Sequence, residues 1–537
     1  MLDIIIKNGY IVDGTGNTSY QGKLGIKDGK VVKIASNIDE QALEIIDATD
    51  LVVSPGFIDV HSHNDLVPFM EENIKDLKLM QGVTTELVGQ CGLGVVPCIE
   101  EENSIWKNYI RGVVGDPGFK WNFSNIGEYI RQIVSKGLKN NFTTLISHGA
   151  IRTHVMGFDS RIPTKEEIST MCKMAESAMK AGAFGMSIGL QYMPAIFSTK
   201  DELIAICKVI AKFDGIVMVH LRNHDDTITN ALEEIIYIAK QSKVRLHISH
   251  MRSYNSKVLG CDAEKLISYI ESAVDKEIKI TFDEHLYLSG STLMTQLLPP
   301  WFTSGGSEEM SKRFQDKEML LKLKEELLSH ETHYIGWDNY SLITGWDGIL
   351  ITSVKEKDNL KYIGKTVGKI AKDLGIDAVD FALQILMKEK FGVAIVTLGV
   401  FSEEDTIKLI NHPLQMVGSD SIPAGNPHPR LYGNYPLFIG KFVRDKKALS
   451  IEEAIYKTSY LPAKTLGLKD IGEIALGKTA DIVLFDFKKI KGFEDYYEPT
   501  KAPIGAKYVI LNGKIAVRDG VVCKGSYGKV YRRTSTI

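Results

Sequence analysis

Eight short apolar runs that end in polar groups, helical patterns between them, and turn-rich β patterns at both ends predict an α/β protein. The expected architecture is a (β/α)8 barrel over residues 56–469, carrying a small β-sandwich built from residues 1–55 and 470–537. The sandwich rests on residues such as LDIIIKNGYIVDG and GKLGIKDGKVVKIA near the start, and GEIALGKTADIVLFD and AKYVILNGKIAVRDGVVCKG near the end. Gly, Asn and Asp separate β-branched runs there, and the NGK and DGK steps are hairpin-turn chemistry.

The expected barrel strands are GFIDVHSH, TTELVGQC, FTTLISH, AFGMSIG, IVMVH, VRLHISH, KITFDEHLY and QMVGSD. Helical patterns alternate with them. Residues 165–182 form one, and residues 226–242 form another, with Ile228, Leu232, Ile235, Ile236 and Ala239 at helical spacing. Between the seventh and eighth strands lies an insertion of about residues 290–395. It holds the polar TSGGSEE stretch, the charged segment KEMLLKLKEELLSH and a further helical pair. At that end of a barrel an insertion sits over the active site as a cap.

Composition narrows the function. A hydrophobic fraction of 44%, a charged fraction of 24% and a formal net charge of −3 describe an ordinary globular chain, with no electrostatic case for nucleic acid or an anionic membrane. Six cysteines (Cys91, Cys98, Cys172, Cys207, Cys261 and Cys523) are thinly spread and form no disulfide framework. No signal peptide and no membrane-length apolar run is visible, so a reducing cytoplasm is the expected compartment and a small molecule the expected partner.

The chemistry concentrates where strands end. His61 and His63 are spaced i, i+2, so on an extended chain both imidazoles face one point. Cys91, His220, His250 and Asp420 end other strands, and imidazole with thiolate suits a zinc ion. One such histidine alone signifies a packed residue; the repetition at one end of successive strands points to a metal. His148 has a weaker claim, His247 faces away from His250 on a strand, and His224, His285, His330 and His333 carry no comparable argument. Asp420 is a carboxylate placed to take a proton from water acidified by a metal and pass it to a leaving group. Two motif matches mislead. GEIALGKT (472–479) fits the phosphate-loop pattern, but a strand follows it where a helix is required. GMSIG (185–189) fits a nucleophile elbow but runs on into LQYMP without a helical pattern and would leave the histidine pair unexplained, so a serine hydrolase stands only as an outside alternative.

PGFIDVHSHND and ALGKTADIVLFD resemble the first strand and C-terminal sandwich of the amidohydrolase superfamily. GVTTELVGQCGLGVVP, AFGMSIGLQYMP, VHLRNHDD, ISHMR, LSGST and VGSDSIP…HPRLYG together resemble the D-aminoacylase (N-acyl-D-amino-acid deacylase) family over nearly the whole chain. The resemblance implies a TIM-like metallo-hydrolase barrel that hydrolyses the amide bond of N-acyl-D-amino acids. Hydantoinases and dihydropyrimidinases use a carbamylated lysine on the fourth strand; AFGMSIGL has none, and Cys91 matches the cysteine that the D-aminoacylase family supplies instead. By resemblance, Cys91, His220 and His250 form the tight Zn2+ site, His61 and His63 a second, weaker one, and Asp420 is the general base and then acid. Arg252, Tyr192, Tyr287, Ser291 and Arg430 are the implied substrate-binding residues. The family tends to carry an acidic pair where this chain reads Asn223, His224 and Asp225, and an aromatic–proline step before Tyr287. These departures leave the metal chemistry intact and bear on side-chain preference. A cyclic-amide hydrolase or a deaminase is the alternative enzyme, and a barrel that only binds its ligand is the non-enzymatic one.

Overall fold

A computed structural model describes residues 1–98, 104–254, 261–274 and 278–533, without the side chains of Ser104 and Ser307. Its centre is a (β/α)8 barrel. The staves are β6 (Phe57–Asp59), β7 (Val83–Val88), β8 (Asn141–Thr144) with its continuation β9 (Ile146–Ser147), β10 (Gly185–Gly189), β11 (Ile216–His220), β12 (Arg245–Ile248), β13 (Ile280–Glu284) and β17 (Gln415–Val417). Each pairs in parallel with its neighbour, β8 on one side with β7 and β9 on the other with β10. The ring closes between first and last staves. Ser62 and Ser421 form a parallel bridge, Asp420 N donates to His61 O at 2.8 Å, and His63 N donates to Ser421 O at 2.9 Å. All eight strands anticipated from the sequence are present.

Alternation along each stave explains how the sequence fills the barrel. On β11, Val217 and Val219 join the core outside the barrel with the surrounding helices. Ile216 and Met218 pack with Ile58, Leu87 and Leu145 at the opposite face. His220 follows two residues after Met218, so the same face that is apolar at the bottom becomes imidazole at the top. The helix Ile228–Ser242 lays Ile228, Leu232, Ile235, Ile236 and Ala239 on the outside, all buried, as its spacing predicts.

One nine-stranded sheet gathers the two turn-rich regions. Its path is β21 (Val521–Val522), β20 (Lys514–Arg518), β19 (Tyr508–Leu511), β18 (Ile482–Phe485), β5 (Val52–Pro55), β1 (Leu2–Ile11), β2 (Tyr20–Lys27) and β3 (Lys30–Ala35), with β4 (Ala42–Asp47) also on β1. Ile4, Leu24, Ile46, Val53, Ile482 and Ile510 fill its core. Asp28–Gly29 and Asn512–Gly513 both turn with positive φ at the two central residues (51° and 77°; 49° and 76°), as their hairpins need. Residues 528–533 leave this sheet and return to the barrel, where Leu138 bridges Gly528 and Phe142 bridges Val530.

The insertion contains a second small sheet that the sequence did not announce: β14 (Gly290–Leu293), β16 (Ala394–Thr397) and β15 (Ile349–Ser353), antiparallel in that order. The charged segment is the helix Lys317–Leu328, and the helical pair is Val367–Leu374 and Ala378–Lys388. Ser291, Thr292, Tyr340 and Thr397 of this insertion form part of the wall of the cavity at the upper end of the barrel.

Candidate metal centre

Cys91 Sγ lies 3.3 Å from His61 Nε2 and 3.5 Å from His250 Nε2, and His250 Nε2 lies 2.9 Å from His220 Nδ1. Three overlapping groups, Cys91–His220–His250, His61–His63–Cys91 and His61–His250–Asp420, each bring their donor atoms within 4.8 Å of one another. Ligands at zinc bond lengths in a tetrahedral shell stand about 3.3–3.6 Å apart, so this spacing fits a small cation with nitrogen and sulfur donors. Among the described residues His63 Nδ1 and His224 Nε2 are buried without a hydrogen-bond partner, as in a pocket made for something else.

Local backbone sets these positions. Cys91 (φ 53°), His250 (φ 34°) and Asp420 (φ 48°) all adopt left-handed conformations that non-glycine residues avoid. Each sits just past a strand end, where the turn swings its side chain inward. The Gly89–Gly92 loop carrying Cys91 is clasped by Ser187, whose hydroxyl donates to Gly89 O and accepts from Gly92 N at 3.0 Å. The serine of the apparent elbow is therefore a buried strut. Gly92 is needed as well, because a Cβ there would meet Gly189 N at 2.8 Å.

Two carboxylates organise the imidazoles. Asp283 accepts from His61 Nδ1 (3.0 Å), His247 Nε2 (2.8 Å) and the His250 main-chain N (2.9 Å). It fixes His61 so that Nε2 faces Cys91, a carboxylate–histidine arrangement typical of metal ligands. Burial would lower the His61 imidazole, but Asp283, then Cys91 and Asp420, hold it well above its ordinary value. Asp420 Oδ1 stands 3.4 Å from His61 Nε2 and 3.3 Å from His63 Nε2, while Oδ2 pairs with Arg430 Nη1 at 2.9 Å. Burial would raise its carboxyl; Arg430 and then His61 outweigh that and hold it well below the usual range. Burial also raises the Cys91 thiol, against the pull of His61, so its thiolate calls for a cation. Burial presses His250 down to about 3 and His224 to about 4, leaving neutral rings with lone pairs.

Of the residues expected at substrate, Tyr192, Ser291 and Arg430 line the cavity; Arg252 and Tyr287 do not. Arg252 stacks on Phe401, 3.8 Å from the ring centroid, and donates to Tyr287 O (3.1 Å) and to His285 (2.9 Å). Tyr287 donates its hydroxyl to Pro429 O at 3.2 Å. Both stand behind the wall, and His285, two positions before Tyr287, reaches the cavity in its place. Pattern reading passes over His285 and Asp283, although the run DEH after the strand-like ITF is a usable signal. It also sets His247 aside. Leu246 and Ile248 pack into the outer core, so His247 takes the opposite face and meets Asp283.

His148 is no part of the cavity. Its Nε2 meets Glu202 Oε1 at 3.0 Å, and Arg152 Nε meets the same oxygen at 3.2 Å, all three groups fully buried. Burial would raise the Glu202 carboxyl, but His148 and then Arg152 hold it below its ordinary value. A depressed acid stabilises the fold at neutral pH and loses that contribution as pH falls through its folded value. Glu202→Gln is expected to cost about 3 kcal/mol at pH 7, since it strands the buried Arg152 charge. Urea denaturation at pH 7 and at pH 3.5 checks this: the gap between the two proteins should narrow at the lower pH, and equal stability at pH 7 would refute it.

Residues 44–306 and 363–517 match the model of the amidohydrolase family. The chain is 27% identical over 534 residues to a D-aminoacylase of Alcaligenes xylosoxydans xylosoxydans, covering 99% of this chain and 98% of the relative. It is 27% identical over 537 residues to the N-acyl-D-glutamate deacylase of the same organism, covering 100% and 98%. The solved structure of the N-acyl-D-glutamate deacylase from Bordetella bronchiseptica, complexed with zinc and a phosphonate inhibitor that mimics the tetrahedral intermediate, superposes with a TM-score of 0.82 at 26% identity over 99% of each chain. With a barrel, a cysteine–histidine cluster at its upper end and a family match covering most of its length, the chain belongs to the amidohydrolase family.

Proposed function

We propose that this enzyme hydrolyses the amide bond of N-acyl-D-amino acids with zinc held by Cys91, His220 and His250, releasing a D-amino acid and a carboxylic acid. One observation carries the reading: a buried thiol stands among four strand-end histidines and a carboxylate, in a chain akin along its full length to two deacylases of N-acylated D-amino acids. Among the described residues no lysine lines the cavity, which separates this donor set from one built on a carbamylated lysine. His61 and His63 are positioned for a second, weaker ion.

When bound, zinc supplies a Lewis acid that polarises the scissile carbonyl and acidifies water. The protein's own groups do the rest. Asp420 presents Oδ1 to that water, ionised because Arg430 occupies Oδ2. Having taken a proton, it gives it to the departing amine nitrogen, a transfer helped by its weak hold on that proton. Tyr192, with its hydroxyl on Thr292 Oγ1 at 2.8 Å, and Ser291 confine the substrate from the insertion side. Asp283 keeps His61 from rotating.

The test is hydrolysis of N-acetyl-D-methionine, N-acetyl-D-glutamate and N-acetyl-D-aspartate, each against its L-enantiomer, with hydantoin as the cyclic control. At least one D-compound should be cleaved and its L-form spared, with activity lost on chelation and restored by zinc. Cleavage of hydantoin alone would overturn the reading in favour of a cyclic amide.

A further inference from the structure

Asp338 comes from the insertion, is fully buried, and receives three N–H donors: Gln191 Nε2 on Oδ2 at 2.7 Å, the His224 main-chain N on Oδ2 at 2.9 Å, and Asn223 Nδ2 on Oδ1 at 3.0 Å. The Asn223 amide cannot turn over freely, since its oxygen accepts from Gly336 N at 2.9 Å. Burial and then Asp225 push the Asp338 carboxyl well above its ordinary value, but its Oδ2 already accepts the His224 main-chain N–H, so Gln191 turns its amide nitrogen to that oxygen and its own oxygen the other way. The oxygen lies 2.9 Å from His220 Nε2. His220 must then carry its proton on Nε2, which leaves Nδ1 bare, and Nδ1 is the atom that faces His250 Nε2 across the cluster.

We propose that Asp338 is a positioning residue that, through Gln191, holds His220 in the tautomer whose Nδ1 can bind the metal, so that the inserted cap helps to prepare the metal site. The metal half of this inference rests on His220 being a ligand; the tautomer half does not. An outer partner of this kind is worth roughly 10- to 100-fold in metal affinity. Its unusual feature is reach, because the carboxylate belongs to a segment far along the chain from the strand it serves.

Two readouts on the full-length protein test it: 15N-imidazole shifts of His220 after metal removal, assigned by their loss in His220→Asn, and zinc affinity by competition with a chromophoric chelator. The wild type should show a single Nε2–H tautomer. Gln191→Leu, which leaves the other two bonds of Asp338 intact, should give a tautomer mixture and zinc binding weakened about 10- to 100-fold. Asp338→Ala should behave alike, and Asp338→Asn, which keeps an oxygen for Gln191 only by turning its NH2 towards Asn223 Nδ2, should fall between that variant and the wild type. A single Nε2–H tautomer in both Gln191→Leu and Asp338→Ala, or undiminished zinc affinity in both, would overturn the proposal. A wild type that takes up no zinc at all would defeat the metal reading, while the tautomer comparison would still decide the role of Asp338.

Discussion

Asp420→Asn is expected to lower kcat by about 10³-fold, the middle of the range for loss of a general acid–base group. The substitution conserves shape and keeps an oxygen for Arg430, so KM should move little and zinc should stay bound. It removes only the capacity to take a proton beside His61 and His63 and return it. Steady-state kinetics with metal content measured in parallel checks this. A kcat within tenfold of wild type, zinc present, would remove Asp420 from the reaction and leave His63 as the next group to examine.

Lys78→Met is expected to destabilise the fold by about 4 kcal/mol, as breaking a buried ion pair does. Lys78 is almost wholly buried, pairs with Asp59, donates to Ser419 Oγ at 2.8 Å and Ser421 Oγ at 2.9 Å, and lies 4.0 Å from Glu86. It ties the first stave to the loop on either side of Asp420. Without it two carboxylates are left in the interior with no cation between them. Thermal unfolding should show a lowered midpoint in the single variant. Lys78→Met/Asp59→Asn should recover part of the loss, because it removes the nearer of the two stranded charges and keeps an oxygen for His61 N and Ser419 N. An unchanged midpoint in the single variant would show that Lys78 does not close the ring.

Much of this was legible in the sequence because barrels write their chemistry at regular addresses. His61, Cys91, His220, His250 and Asp420 each follow an apolar run that marks a strand end; alternation along the run carries through to His220, whereas the inward aim of Cys91, His250 and Asp420 is set by their left-handed turns. What escaped reading depends on contacts made across the fold. Asp338 meets Gln191 only after the insertion folds over the barrel, and no local pattern in GWDNY foretells it. Tyr287 and His285 differ by two positions on one segment, so alternation alone does not separate them; the cavity takes His285, while Tyr287 finds a carbonyl at Pro429. ILITS and AIVT are plain β-branched stretches, while their partner GSTL has only Thr292 of that kind. Their pairing spans about the whole insertion, which is why their sheet was hidden among helices.

The nine-stranded sheet has a consequence for how the protein is made. β5 takes β1 on one edge and β18 on the other, and Pro55 pairs with Ile482. At roughly 5–20 residues per second, a ribosome delivers β18 only after tens of seconds, during which β5 has an unpaired edge rich in valine. The barrel ring waits almost as long for Ser421. Nascent chains therefore carry two open sheet edges through most of synthesis, and recombinant yield should respond to chaperone supply and growth temperature more than to changes in the finished core.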